Sequence, residues 1–115
     1  MNDADWLEEA FQAARTGKGS RPLSLSEARE FLRYCTDRRF AFQTVEASEL
    51  VDGLEYPRID CSVLGLTNVE KSAQSLDDLA SIARSRLEMA ASAPNDFVFQ
   101  IWIDTAESLL GKKHN

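Results

Sequence analysis

Side chains that commonly carry acid–base or metal chemistry are scarce in this sequence. The single histidine is His114, close to the C-terminal end of the chain. Histidine titrates near neutral pH and is the commonest metal ligand, so this position disfavours both kinds of site. Cys35 and Cys61 have neither a histidine nor a second cysteine nearby in the sequence to lower a thiol pKa. The sequence predicts buried, reduced cysteines and a protein without catalytic residues, cofactor or metal.

Two aspartates offer an enzymatic alternative. Asp60 and Asp104 each lie on or beside a predicted strand. If the two strands are neighbours, the carboxylates approach each other and form the acid–base or metal pair of a small hydrolase or transferase. Asp104 also fits the N-cap of a helix, and Asp60 fits the solvent side of an alternating strand. These structural roles explain both residues without a reaction, so we expect a protein that is not an enzyme.

Acidic residues at regular spacing give the first indication of a binding surface. Glu46, Glu49, Asp52 and Glu55 recur every three residues, and only Arg58 offsets them nearby. The spacing predicts an acidic patch, which attracts a partner with a basic surface. A solvated surface that keeps the protein soluble explains the same pattern, and the sequence leaves both interpretations open.

Arginines and a tryptophan give the second indication. Arg29 and Arg33 lie on the outer face of a predicted helix, within a region rich in arginine. Arginine suits interfaces because its planar guanidinium group donates paired hydrogen bonds. Trp102 lies on the opposite face of its predicted strand from Ile101. It is therefore either covered by a helix or exposed as an anchor for a partner.

Composition and charge narrow the class of protein. The 115 residues, 43% hydrophobic and 28% charged, fit one compact domain over residues 1–115, with a flexible tail at 111–115. A net charge of −6 disfavours direct nucleic-acid binding, which needs a basic surface. No apolar stretch is long enough to cross a membrane, and the acidic N-terminus is not typical of a signal peptide. We therefore expect a cytoplasmic protein.

Apolar periodicity and capping residues predict the helices. The predicted ranges are 3–16, 24–37, 75–93 and 104–111. Ser24 and Ser75 begin two of them, because their hydroxyl groups can accept hydrogen bonds from the first free amides of a helix. Glu27 completes a capping box with Ser24, and Asp104 begins the short last helix in the same way.

Three segments read as strands, namely 40–47, 58–66 and 96–104. Asp52 and Gly53 indicate a hairpin turn between the first two, although residues 47–54 also fit one helical turn. The second strand alternates, which places Ile59 and Cys61 on a buried face. Residues 96–104 are apolar on both faces, which predicts a central strand covered on both sides.

Together these elements predict an α+β fold in the order α-α-β-β-α-β-short α. The sheet is expected to be small, mixed and three-stranded, with helices packed against it. The first two strands form an antiparallel pair, and a right-handed crossover through the third helix adds the last strand parallel to its neighbour. A sheet this narrow needs its helices, or a second subunit, to complete its burial.

The leading functional hypothesis is a small acidic protein that inhibits a partner protein. Immunity proteins, antitoxins and phage anti-defence proteins of the anti-CRISPR type work in this way, by covering a basic active site or nucleic-acid groove with complementary charge. The expected partner is a toxin, a nuclease or a nucleic-acid-binding complex. A secretion or assembly chaperone that acts as a homodimer is the first alternative. The hydrolase or transferase that uses Asp60 and Asp104 is the second.

Overall fold

A computed structural model describes residues 3–64 and 73–112 of the chain. Its helices and strands are α1 (Asp3–Ala14), α2 (Leu25–Asp37), β1 (Phe40–Val51), β2 (Leu54–Pro57), β3 (Val63–Leu64), α3 (Leu76–Ala91), β4 (Phe97–Thr105) and α4 (Ala106–Lys112), with one 3-10 turn at Ile59–Cys61. The α+β class and the predicted order of elements are confirmed. His114, most of the predicted tail and residues 65–72 lie outside the described residues, while Gly111 belongs to α4.

The predicted caps of α2 and α3 are confirmed. The Ser24 hydroxyl accepts a hydrogen bond from the Glu27 amide at 3.2 Å, and the Glu27 carboxylate accepts one from the Ser24 amide at 2.9 Å. This reciprocal pair is a capping box. The Ser75 hydroxyl accepts a hydrogen bond from the Asp78 amide at 3.2 Å and caps α3. Each cap satisfies an amide that has no partner inside its helix.

The last helix begins one residue later than predicted. Thr105, not Asp104, caps it, because the Thr105 hydroxyl accepts a hydrogen bond from the Ser108 amide at 3.1 Å. Asp104 supports this start from the end of β4. Its carboxylate accepts hydrogen bonds from the Thr105 amide at 2.7 Å and from the Ser108 hydroxyl at 3.1 Å.

The sheet is built around β1. Strand β4 pairs along one edge of β1, from Phe40 opposite Thr105 to Glu49 opposite Phe97. Strands β2 and β3 pair one after the other along the opposite edge. All these pairings are antiparallel, so the predicted parallel contact does not form and the sheet is not mixed. Strands β3 and β4 do run in the same direction, but β1 lies between them.

The connection between β1 and β2 is a tight hairpin. Asp52 and Gly53 have φ angles of 52° and 80°, and Val51 pairs directly with Leu54. Two successive positive φ angles define the type I′ turn that suits the right-handed twist of paired strands. Of the two interpretations that the sequence left open, the hairpin is therefore the correct one, and β1 runs four residues beyond the predicted end at residue 47.

The main core lies between one face of the sheet, here called the inner face, and the helices. Helices α1, α2 and α3 bury apolar residues against it, among them Phe11, Phe31 and Leu87. Strand β4 alternates in burial, with every second residue buried from Phe97 to Ile103 and the others half-buried. The prediction that β4 is central and covered on both sides is therefore wrong, because the three helices pack on the same face and β1 takes the central position.

The segment predicted as the second strand begins as a 3-10 turn. The amide of Arg58 makes the last ladder bond of the hairpin, to the Ala47 carbonyl at 2.8 Å. The Ser62 hydroxyl then accepts a hydrogen bond from the Ala47 amide at 3.0 Å and donates one to the Arg58 carbonyl at 2.7 Å, which closes the turn. As a result Cys61 is buried as predicted, whereas Ile59 is 72% exposed.

Candidate protein-binding site

The outer face of the sheet, opposite the main core, carries two of the predicted acidic residues. Val45 and Ala47 point into the core, so the alternation of β1 places Glu46 on the outer face. Glu55 lies on the same face, since it pairs with Leu50 of β1. Both glutamates line a shallow groove of about 280 Å³ that crosses β2, β1 and β4. These two carboxylates therefore share one accessible surface.

Glu49 lies on the other face and is held by neighbours. Its carboxylate accepts a hydrogen bond from the Asn95 amide group at 3.0 Å and forms an ion pair with Arg58 at 2.9 Å. The same guanidinium group makes two bonds to Asp60, at 2.8 and 2.9 Å, and lies 5.6 Å from the centre of the Phe97 ring. Arg58 thus ties the hairpin to the 3-10 turn, and Glu49 serves this structural network.

These contacts lower the pKa of the carboxyl groups of Glu49 and Asp60. The hydrogen bond from Asn95, together with that from Arg58, lowers the pKa of Glu49. The hydrogen bonds from Arg58 lower the pKa of Asp60. Both shifts favour the ionised form that holds the network together.

We expect the stability of the protein to fall as the pH drops from about 5 to about 3, in part through Glu49. A carboxyl group with a lowered pKa in the folded state stabilises the fold above its unfolded pKa, and this stabilisation is lost as the pH falls through the folded pKa. Urea unfolding of Glu49→Gln should show a weaker pH dependence in this window. Glu46→Gln is the control for removing an exposed carboxylate, and equal behaviour of the two variants would contradict the assignment.

Asp52 occupies the turn at the tip of the hairpin. The four predicted acidic residues therefore do not form one patch. Two lie on the outer face, one at the tip and one in the network with Arg58. A spacing of three residues does not match the two-residue repeat of a strand, which is why the set divides between faces.

The same hairpin also carries exposed apolar side chains, which the sequence patterns above do not predict. Leu54 and Tyr56 of β2 are 60% and 49% exposed. Ile59, in the 3-10 turn that follows, is exposed as well, in contrast to the buried position that strand alternation predicts. Among the described residues, these three and Met89 of α3 are the large hydrophobic side chains with high exposure. The signal in the sequence was the alternation of Leu54 and Tyr56 with the acidic Glu55 beside a hairpin turn, which is typical of an edge strand.

Trp102 is neither under a helix nor fully exposed. It lies on the outer face of β4, where the loop before α2 covers it. Its indole nitrogen donates a hydrogen bond to the Gly17 carbonyl at 3.0 Å, and its ring lies against Gly19. The loop continues along the edge of β4, where Leu23 and Phe99 exchange two backbone hydrogen bonds of 2.8 Å. Trp102 therefore holds this loop against the sheet.

Arg29 and Arg33 lie away from the hairpin, in a groove between α2 and α3. The groove is about 300 Å³ in volume, and its walls also include Arg84 and Glu88 of α3. Arg29 forms an ion pair with Glu88 at 2.8 Å, which links the two helices. The two predicted arginines thus lie on a surface separate from the acidic residues of the hairpin.

The two aspartates of the enzymatic alternative are not brought together. Asp104 lies near the end of β4, opposite Ala41 and close to the start of β1. Asp60 lies beyond the other edge of β1, next to Arg58, whose amide bonds to Ala47. Ala47 is six positions further along β1 than Ala41, which is roughly 20 Å along the strand. The geometry gives no carboxylate pair.

The cysteines are buried and unpaired, as predicted. Cys35 and Cys61 are both fully buried, and burial raises the pKa of both thiols. Raised thiol pKa values keep the sulfur protonated and weakly reactive. Within residues 3–64 and 73–112, no three histidine, cysteine, aspartate or glutamate side chains are arranged to hold a metal ion.

The fold and its surfaces define a small α+β protein with helices on one face of an antiparallel sheet and an acidic, partly apolar hairpin at its edge. Comparison of the chain with protein-family models, with curated proteins and with solved structures finds no significant match. None of the helices in the described ranges is long and apolar enough to cross a lipid bilayer.

Proposed function

We propose that this protein is a non-enzymatic inhibitor that binds a basic partner protein through the β1–β2 hairpin and the 3-10 turn. The observation that carries the proposal is the concentration of exposed apolar side chains and acidic groups in one short segment, residues 46–60. Protein interfaces commonly combine a few buried anchors with a polar rim. This segment offers both kinds of side chain.

The apolar side chains supply the anchors. Tyr56 presents a large aromatic surface with few rotatable bonds, and Leu54 lies two residues away on the same face of β2. Removing such side chains from water drives association by roughly 25 cal/mol per Å² of apolar surface. Tyr56 is half exposed before binding, so a partner has surface to bury.

The acidic groups supply charge complementarity. Leu54 and Tyr56 lie on the side of β2 that continues the inner face, since they pair with Val51 and Glu49. Glu46 and Glu55 on the outer face, with Asp52 at the tip, place negative charge on the same hairpin. Together with the net charge of −6, they favour fast association with a positively charged surface and disfavour acidic competitors. The basic active site or nucleic-acid groove of a toxin, nuclease or anti-phage complex has this chemistry, and the proposed setting is the cytoplasm. Immunity proteins, antitoxins and phage anti-defence proteins are the corresponding classes.

The test is a quantitative pull-down from the source cells and from candidate target cells, followed by kinetics with the purified partner. Reversing Glu46, Asp52 and Glu55 to lysine should slow association at low salt by at least about tenfold. Glu49 is left unchanged, because its reversal would disrupt the ion pair with Arg58. The added protein should also inhibit the activity of its partner at stoichiometric ratio.

Two further variants test whether binding depends on the hairpin: one is a charge-matched control, and the other truncates an anchor. Reversal of three exposed acidic residues on the helices, Glu9, Glu30 and Asp77, changes the net charge equally and should leave association close to wild type. Tyr56→Ala should accelerate dissociation by about tenfold or more, since truncated anchors act mainly on the dissociation rate. An association rate that responds equally to both charge reversals, or a partner whose binding surface is acidic, would contradict the proposal.

The homodimeric chaperone remains the alternative, and the exposed side chains of Leu54, Tyr56 and Ile59 favour it. In that case the apolar surface is covered by a second copy of the chain. Analytical ultracentrifugation distinguishes the two functions. A stable dimer that Tyr56→Ala converts to monomer supports the chaperone, whereas a monomer at micromolar concentration supports the inhibitor.

A further inference from the structure

The groove between α2 and α3 brings together three arginines of an otherwise acidic protein. Arg29 and Arg33 lie one turn apart on α2, and Arg84 faces them from α3. The remaining charged groups of the groove are the carboxylates of Asp37 and Glu88. Three guanidinium groups and two carboxylates leave the groove with a net positive charge, in contrast to the net charge of −6 for the chain.

The pairing within the groove leaves two guanidinium groups available. Arg29 and Glu88 form an ion pair at 2.8 Å across the groove. Arg33 and Arg84 form no ion pair or hydrogen bond with any described residue. Each therefore offers all the N–H donors of its planar side chain. Two such groups on opposite walls suit an anion with several acceptor oxygens.

The floor of the groove is apolar. Leu32 and Leu87 are 5% and 1% exposed and lie beneath the arginines. The aliphatic parts of long side chains pack well on such a floor while their charged ends reach solvent. A volume of about 300 Å³ is at the small end of the range for small-molecule sites.

We propose that this groove binds the phosphate group of a small phosphorylated metabolite, held by Arg33 and Arg84 with support from Arg29. Arginine forms bidentate hydrogen bonds with phosphate oxygens, and these charge-assisted bonds are stronger than neutral ones. A small anion senses mainly the local charge of the groove, because salt screens the rest of the surface within about 8–10 Å. A long polyanion such as nucleic acid also meets the acidic remainder of the protein and is repelled. This proposal does not depend on the function of the hairpin.

The probe for the test is inorganic pyrophosphate, titrated at constant ionic strength into the full chain. The side-chain N–H signals of Arg29, Arg33 and Arg84 in NMR spectra should shift and saturate together, with a dissociation constant on the order of 1 mM or below. Arg33→Gln and Arg84→Gln should each raise this constant at least about tenfold, since each removes a charge-assisted contact. Both side chains are exposed and unpaired, so circular dichroism should show unchanged folding.

Lys18→Gln is the matched control, because it removes one positive charge from the loop beside β4 and leaves the groove intact. Its dissociation constant for pyrophosphate should stay within a factor of two or so of wild type. Shifts that do not saturate, or an equal loss of binding in Lys18→Gln, would overturn the proposal. So would a single-stranded DNA 10-mer that contacts the same arginines more tightly than pyrophosphate does, since this would assign the groove to nucleic acid.

Discussion

Ile101→Asp is expected to abolish cooperative folding of the protein. Ile101 is fully buried in the middle of β4 and faces Val45 of β1. Loss of its apolar contacts costs about 2–5 kcal/mol, and a buried, unpaired carboxylate adds several kcal/mol more. Domains of this size are stable by only about 5–15 kcal/mol. Thermal unfolding followed by circular dichroism should therefore show no cooperative transition.

Gln100→Asp tests whether the effect comes from burial and not from a new charge in β4. Gln100 is the neighbouring residue on the half-exposed outer face, where its side chain donates a hydrogen bond to the Lys18 carbonyl at 2.9 Å. Loss of this bond should destabilise the protein by about 1 kcal/mol and leave a cooperative transition. A folded Ile101→Asp variant with the same melting temperature as Gln100→Asp would show that β4 does not carry the core.

Capping and turn residues in the sequence were sufficient to predict where the capped helices begin and where the hairpin turns. Ser24, Glu27 and Ser75 accept hydrogen bonds from amides three residues away, so their role does not depend on the rest of the fold. Asp52 and Gly53 act in the same local way, because their positive φ angles alone define the turn. These are the parts of the fold that short segments determine.

The arrangement of the sheet depended on contacts between distant segments. Residues 96–104 are apolar on both faces, and this pattern indicated a central strand. The outer side chains of β4 are instead covered in part by the loop before α2, which bonds to Phe99 and Ile101. The apolar character of Trp102 thus reflects packing against a loop. A single sequence gives no signal for such a contact, because the two segments are far apart along the chain.

In the candidate site, too, some features follow from the local sequence and others depend on contacts between distant segments. The sequence identified the hairpin as acidic, but it could not separate Glu49 from Glu46 without the register of β1. The register places Glu49 beside Asn95 and Arg58, and Glu46 in solvent on the other face. The exposure of Ile59 followed from the 3-10 turn that the Ser62 side chain closes. The composition of the candidate surface was therefore predictable in part, whereas its geometry required the strand pairing.

Gly19→Ala is the substitution outside the main core with the largest expected effect. Gly19 has a φ of 74°, which a residue with a side chain adopts at a cost of about 1–2 kcal/mol. A methyl group there would lie 2.6 Å from Cε2 of the Trp102 ring, so either the loop or the indole must move. Such overpacking costs about 1–3 kcal/mol. We expect a total destabilisation of about 3 kcal/mol, measured by urea unfolding.

The position of Trp102 makes the cause of this effect observable. If the methyl group displaces the indole, the hydrogen bond to the Gly17 carbonyl is lost and the emission of Trp102 shifts to longer wavelength. A Trp6→Phe background isolates this signal, because the chain has two tryptophans. Gly17→Ala is the control, since a methyl group there meets nothing within 4 Å, and it should change stability by no more than about 0.5 kcal/mol. Equal stability and equal emission in the two alanine variants would mean that the loop does not pack against Trp102 in solution, and the edge of β4 would then be open to a partner.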